Sequence, residues 1–262
     1  MSKPARFELH DVSVLYDGHA ALQRVGLTVP AGDVLAVVGP SGAGKTTLLR
    51  LLNASVRTSS GRLLVDGGEV GALSAGDLRR LRSRVGFIPQ DFGLVPNLRV
   101  SQNVLAGRLG REGLVASLRS MLFPSRARLE ELFLLLERLG IPEKIFQRVD
   151  SLSGGQQQRV AIARALYQEP GALLADEPLS SLDPERSRET LALLIEVARE
   201  RGLTLVLSMH DIELARAHVP RLVGLRAGRV LFDGPPAQIA EQRYRDLYRL
   251  AEEGGRRRDR AP

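Results

Sequence analysis

Short, uniformly apolar runs alternate along the chain with longer stretches whose apolar residues recur every three or four positions. The first texture is that of buried strands and the second that of helices. Residues 7–15, 22–29 and 34–38 read as strands, the first two suited to an antiparallel hairpin, and a helix follows to about Asn53. Residues 62–66 and 85–88 are further strands, separated by a basic helix around residues 77–84. From Gln90 to about Leu166 strand patterns vanish. Within residues 126–139, helical spacing places Leu129, Leu132, Phe133, Leu136 and Leu139 on one face, which predicts an inserted helical subdomain. Strand patterns return at 172–176, 203–208, 222–225 and 230–232, and a short helix over 236–250 precedes a charged end. This alternation defines an α/β domain. The expected organisation is one domain over 1–232, with its core in 1–90 and 167–232 and the helical subdomain at about 91–166. A C-terminal helix and tail then occupy 233–262.

Bulk properties narrow the class. With 262 residues, 44% of them hydrophobic, the chain can build one large core with an insertion. It has no cysteine, which excludes disulfides and thiolate metal sites and fits a reducing compartment. The longest apolar runs, 34–38 and 203–207, are far short of the roughly 20 residues of a membrane span, and MSKPARFELH at the N-terminus carries no apolar signal core. A soluble, unexported protein is expected. The net charge is +7, but four arginines fall in RRRDR at 256–260, which reads as a solvated tail rather than a nucleic-acid surface.

The chemistry begins with VVGPSGAGKTTLLRLLN at residues 37–53. Gly39, Gly44, Lys45 and Thr46 satisfy G-x-x-x-x-G-K-[ST], with an apolar strand before and an apolar helix after. In such a loop, backbone N–H groups and the helix N-terminus attract an anion, the lysine reaches the outer phosphates, and the threonine hydroxyl is placed for Mg²⁺. Pro40, Ser41, Gly42, Ala43 and Thr47 complete the expected phosphate cradle. GALLADEP then ends an apolar strand in Asp176 and Glu177. A carboxylate pair there is costly unless a cation or a phosphate-bound water lies nearby. Asp176 suits an outer-sphere Mg²⁺ ligand, and Glu177, facing the other way along a strand, suits the general base for water. In DSLSGGQQQRVAIARAL at 150–166, Ser153 is a helix N-cap, Gly154 and Gly155 bare the backbone, and Val160, Ile162, Ala163 and Leu166 form the buried face. Physics alone leaves open what this second anion-binding helix end holds, and Gln156 to Gln158 is compatible with a plain polar face.

LSGGQ at 152–156, together with the glycine loop and LLADEP, resembles the ATP-binding cassette family over nearly the whole chain. The resemblance implies a P-loop NTPase fold: a RecA-like parallel core sheet with an antiparallel β subdomain and an inserted α-helical subdomain. It implies that Tyr16 stacks on adenine, that Gln90 senses Mg²⁺ and the transport partner, that Ser180 to Asp183 couples two subunits, and that His210 contacts the γ-phosphate. It also implies a head-to-tail homodimer in which Ser153, Gly154, Gly155 and Gln156 cover ATP held by the other copy. Two uses of the energy compete. One is an importer ATPase beside separate permease chains and, indirectly, a periplasmic binding protein, on the cytoplasmic face of the inner membrane, with 90–108 as part of the docking surface. The other is a soluble cassette acting on nucleic acid or ribosomes, whose usual paired cassettes, coiled coils or zinc cysteines are not visible. VPNLRVSQNVLAGRLG, the arginine-rich insert with MLFPSR between Gly107 and Arg128, and GLRAGRVLFDGPP are most similar to bacterial phosphonate importer ATPases. IPQDF after the strand at 85–88 and SMHD around His210 depart from that subfamily's usual pattern, which leaves phosphite, phosphate or polar amino acids open as cargo.

Overall fold

The computed structural model describes residues 2–111, 119–180 and 182–248. The expected tail arginines at 256–260, residues 112–118 of the arginine-rich insert, Ser181 of the expected coupling loop and the end of the predicted terminal helix lie outside those residues.

Strands β1 (Phe7–Tyr16) and β2 (His19–Val29) form the predicted hairpin, closed by Asp17 and Gly18 with φ of 47° and 81°. Paired positive φ values match the twist of the flanking strands. Strand β4 (Ser60–Val65) pairs with β1 on its other side, and the two-residue β5 (Gly68–Glu69) completes a four-stranded antiparallel sheet ordered β2-β1-β4-β5.

The second sheet has the order β10-β9-β3-β8-β7-β6. It comprises β3 (Val34–Val38), β6 (Val85–Ile88), β7 (Ala172–Ala175), β8 (Thr204–Met209), β9 (Arg221–Arg226) and β10 (Arg229–Gly234). The strands from β9 to β6 run parallel, and β10 returns antiparallel to β9. Every residue of β3, β7 and β8 is buried, as expected of strands covered on both faces.

Besides a helical stretch at residues 119–122, eight helices are assigned among the described residues. These are α1 (Lys45–Leu52), α2 (Ala75–Arg84), α3 (Val100–Leu105), α4 (Arg126–Arg138), α5 (Gly154–Tyr167), α6 (Pro184–Arg201), α7 (Ile212–His218) and α8 (Glu241–Tyr248). Strand alternation splits the apolar residues into two cores. Val37, Leu174 and Val206 face α1 and the antiparallel sheet, packing with Phe7, Leu27 and Leu48. Val38, Leu173 and Leu205 face α4, α5 and α6, packing with Leu136, Ile162 and Leu194.

Two sequence expectations are corrected. Phe133 is 44% exposed, whereas Leu135 is buried beside Leu132, Leu136 and Leu139. Leu135 stands three residues after Leu132 and four before Leu139, so it falls inside the stripe and Phe133 falls at its edge. The terminal helix begins at Glu241 rather than Pro236, because Ile239 adopts an extended φ/ψ of −89°/118° after a single turn at Pro236–Gln238.

At the N-terminal end of β9, Arg221 donates to Asp33 at the entry to β3, to Asp233 of β10 and to the Thr28 carbonyl of β2, each at 2.7–2.9 Å. These partners hold its guanidinium well above its ordinary pKa. One cation thus ties both sheets together at the end away from the strand C-termini.

The burial pattern of α4 is tested by a pair of truncations. Leu136→Ala should lower unfolding free energy by about 2–5 kcal/mol, and Phe133→Ala by less than about 1 kcal/mol, in urea titrations followed by circular dichroism.

Candidate active site

Four parallel strands end side by side, and the segment after each carries a polar group to the same edge. The glycine loop follows β3, Gln90 follows β6, Asp176 and Glu177 follow β7, and His210 follows β8. C-terminal strand edges of parallel sheets are where α/β proteins place ligands.

The glycine loop is held tightly against its neighbours. A Cβ at Gly39 would lie 2.1 Å from the Leu225 carbonyl oxygen of β9, and one at Gly44, where φ is 103°, would lie 2.4 Å from that of Ala21 in β2. Helix α1 then starts at Lys45 with neither a side-chain cap nor an acidic residue in its first turn. Its leading N–H groups are therefore left for an anion.

Lys45 is only 4% exposed. Its ammonium donates to the carbonyls of Gly39 at 2.8 Å and Pro40 at 3.2 Å, and lies 3.7 Å from Glu177 Oε1. Burial pushes its pKa below the ordinary lysine value, while Glu177 and then Asp176 pull it back. Asp176, 3% exposed, accepts on Oδ1 from Thr46 Oγ1 at 3.2 Å and from Ser208 Oγ at 2.7 Å. His210 places Nε2 2.5 Å from Glu177 Oε1 and Nδ1 3.5 Å from Lys45 Nζ.

The two carboxylates do not face opposite ways. Glu177 sits at φ 49°, a left-handed conformation that costs a non-glycine residue energy and breaks strand alternation. Both acids consequently turn toward α1, Asp176 to Thr46 and Glu177 to Lys45. Between them and the loop lies a cleft of about 480 Å³, bounded by residues 41–47 and Ala21 on one side and by Gln90, Glu177 and His210 on the other.

The tight glycine loop, uncapped helix and buried lysine fit a polyphosphate. Thr46, Asp176 and Gln90 offer hard oxygen donors, and no group of three His, Cys, Asp or Glu side chains that would hold a metal occurs among the described residues. That balance suits Mg²⁺, which is held by one or two protein groups together with substrate phosphates.

Other expected residues stand elsewhere. Tyr16 pairs with His19 at the hairpin tip, 43% exposed, and does not line the cleft. Ser153 caps α5 and exchanges bonds with Gln156 in a capping box, with Gly154 and Gly155 beside it, away from the cleft. The glutamines after it are not a solvated face. Gln157 donates to the carbonyls of Val149 and Leu152, and buried Gln158 donates to that of Pro178, just beyond Glu177. On the same helix, Arg164 donates to the carbonyls of Phe92 and Gly93, in the loop after Gln90. The sequence reading passed over Ser208, although a hydroxyl near the end of the otherwise apolar run LVLSM was a visible signal.

The profile of the ABC transporter family matches residues 22–180. The chain is 46% identical over 233 residues, 88% of its length and 84% of the relative's, to "Phosphonates import ATP-binding protein PhnC" of Alcaligenes faecalis. It is 45% identical to the protein of that name in Chromohalobacter salexigens, covering 94% of this chain and 89% of that one. Among solved structures, cbiO1 from Clostridium perfringens, part of the ABC transporter complex cbiONQ, superposes with a TM-score of 0.78 at 29% identity, covering 97% and 98% of the two chains. The dimeric bacterial ABC transporter cassette MJ0796 gives 0.75 at 30% identity, covering 88% and 98%. The fold is that of a P-loop ATPase cassette. The chain belongs to the ABC transporter family, binds ATP and is an ATPase.

The lowered Lys45 pKa has a sign that can be checked. Between that value and the ordinary 10.5, the unfolded chain holds a proton the folded chain has released, so stability rises with pH through this interval. Relative to a nucleotide-free Lys45→Met variant, the wild type should therefore gain stability as pH climbs toward 10.5, in parallel denaturant titrations.

Proposed function

We propose that the chain is the ATP-hydrolysing subunit of a bacterial importer that takes up phosphonates or related oxyanions through separate permease chains. The carrying observation is the convergence of Lys45, Glu177, Gln90 and His210 on one cleft. The choice of cargo is supported by near full-length similarity to the phosphonate import proteins.

In this reading the triphosphate lies on the backbone amides of residues 39–47, with Lys45 against its outer phosphates and the adenine stacked on Tyr16. Mg²⁺, when bound, neutralises charge on the β- and γ-phosphates, and Thr46, Asp176 and Gln90 would hold it. Glu177 takes a proton from water as the water oxygen bonds to the γ-phosphorus and the bond to the ADP oxygen breaks. His210, held at the cleft beside Glu177, lies next to the transferring group.

The segment Ser153, Gly154, Gly155 and Gln156 covers the nucleotide of a second copy. Support comes from its exposure apart from the chain's own cleft and from the dimeric state of the similar MJ0796 cassette. No described helix is long and apolar enough to cross a membrane. The importer reading therefore puts the protein peripherally on the cytoplasmic face of the inner membrane. There residues 90–108, at the junction of the core and the helical subdomain at about 91–166, contribute to permease docking, and a periplasmic binding protein delivers the cargo.

Glu177→Gln should bind Mg-ATP with near-normal affinity, lose about 10²–10³-fold in turnover and shift to a dimeric mass in light scattering. A monomer at saturating nucleotide would overturn coverage in trans. Deleting the gene should abolish growth on a phosphonate as sole phosphorus source while sparing growth on phosphate. Undiminished growth on the phosphonate would overturn the cargo assignment.

A further inference from the structure

Strand β8 runs two residues beyond the end of its pairing with β7. Ala175, the last residue of β7, pairs with Leu207, so Ser208 comes level with the turn that carries Asp176 and Glu177. Ser208 lies on the same face of the strand as Val206, toward α1, and is 0% exposed. Its single hydroxyl makes two bonds there. It donates to Asp176 Oδ1 at 2.7 Å and accepts the backbone N–H of Glu177 at 2.8 Å. A hydroxyl can do both at once, and among small side chains only serine and threonine offer that combination.

Both bonds fall where unassisted geometry would be poor. The Asp176 backbone N–H bonds to Ile88 of β6 in continuation of the strand, but the next residue turns left-handed and its N–H is directed to a side chain instead. Without the hydroxyl, a partly buried N–H would lose its partner and a buried carboxylate would lose its shorter donor. The remaining donor to Asp176 is Thr46, at 3.2 Å.

We infer that Ser208 is a positioning residue for ATP hydrolysis, fixing the Asp176 carboxylate for the divalent cation and the Glu177 backbone for water activation through one hydroxyl. This rests on the roles of Asp176 and Glu177 proposed above. Ser208 does not line the cleft of the glycine loop and acts through Asp176 and Glu177. Groups that orient a metal-binding carboxylate commonly change metal affinity by about 10–100-fold when removed.

The test uses the full-length protein with Ser208→Ala and Ser208→Thr. Ser208→Ala should lower kcat by about 10–100-fold with KM for ATP within about 2-fold of wild type. With a non-hydrolysable ATP analogue, Mn²⁺ affinity read by electron paramagnetic resonance should weaken about 10-fold, while binding of the analogue in EDTA stays unchanged. Ser208→Thr should restore both. Wild-type kcat and Mn²⁺ affinity in Ser208→Ala would overturn the inference, as would a lowered melting temperature with Mn²⁺ affinity unmoved. Should Ser208→Ala fail to fold, the isosteric pair Ser208→Thr and Ser208→Val decides the matter by the same two readouts, only threonine retaining them. Glu177→Gln is assayed alongside: if it turns over normally, the assignment of the base fails, whatever serine does.

Discussion

A lysine ammonium kept almost wholly out of water is the constraint around which the site is organised. Lys45 cannot be solvated where it stands, so two loop carbonyls and the Glu177 carboxylate take over from water. Charged groups in such surroundings are tolerated when other charges complete them. The nearest candidates within the chain, Asp176 and Glu177, are themselves engaged with Thr46, Ser208 and His210. The arrangement is a set of mutually compensating charges with a cleft at its open side, and a polyanion with its cation fits that opening better than water does.

Holding those groups together requires backbone that local preferences disfavour. Gly39 and Gly44 press within contact of neighbouring carbonyls, and Glu177 occupies a left-handed conformation. Such strain persists only where surrounding structure over-determines it. Here the two buried cores clamp β3, β7 and β8 from both faces, so packing energy in the sheet sustains unfavourable geometry at its edge.

Much of this was legible in the chain itself. Uniform apolar runs gave β3, β7 and β8, since strands covered on both faces have no reason to alternate, and the glycine loop declared itself by its flanks. Short elements such as β5, with two residues and no apolar signal, were invisible. The direction of Glu177 was misread because strand periodicity cannot foresee one residue with positive φ. Gln158 looked like a solvated polar position, yet tertiary packing buries it against Pro178. Ser208 escaped for a related reason: a lone hydroxyl acquires meaning only when the ladder register shows what it stands beside.

Arg221 bears on how the molecule can move. Because it rivets β2, β3, β9 and β10 at their shared base, the sheet resembles a hand fan fastened at the handle. Excursions are then confined to the rim, where the turnover groups sit. Loosening the rivet would let the ribs slide, and the protein would lose precision at its far edge before it lost its shape.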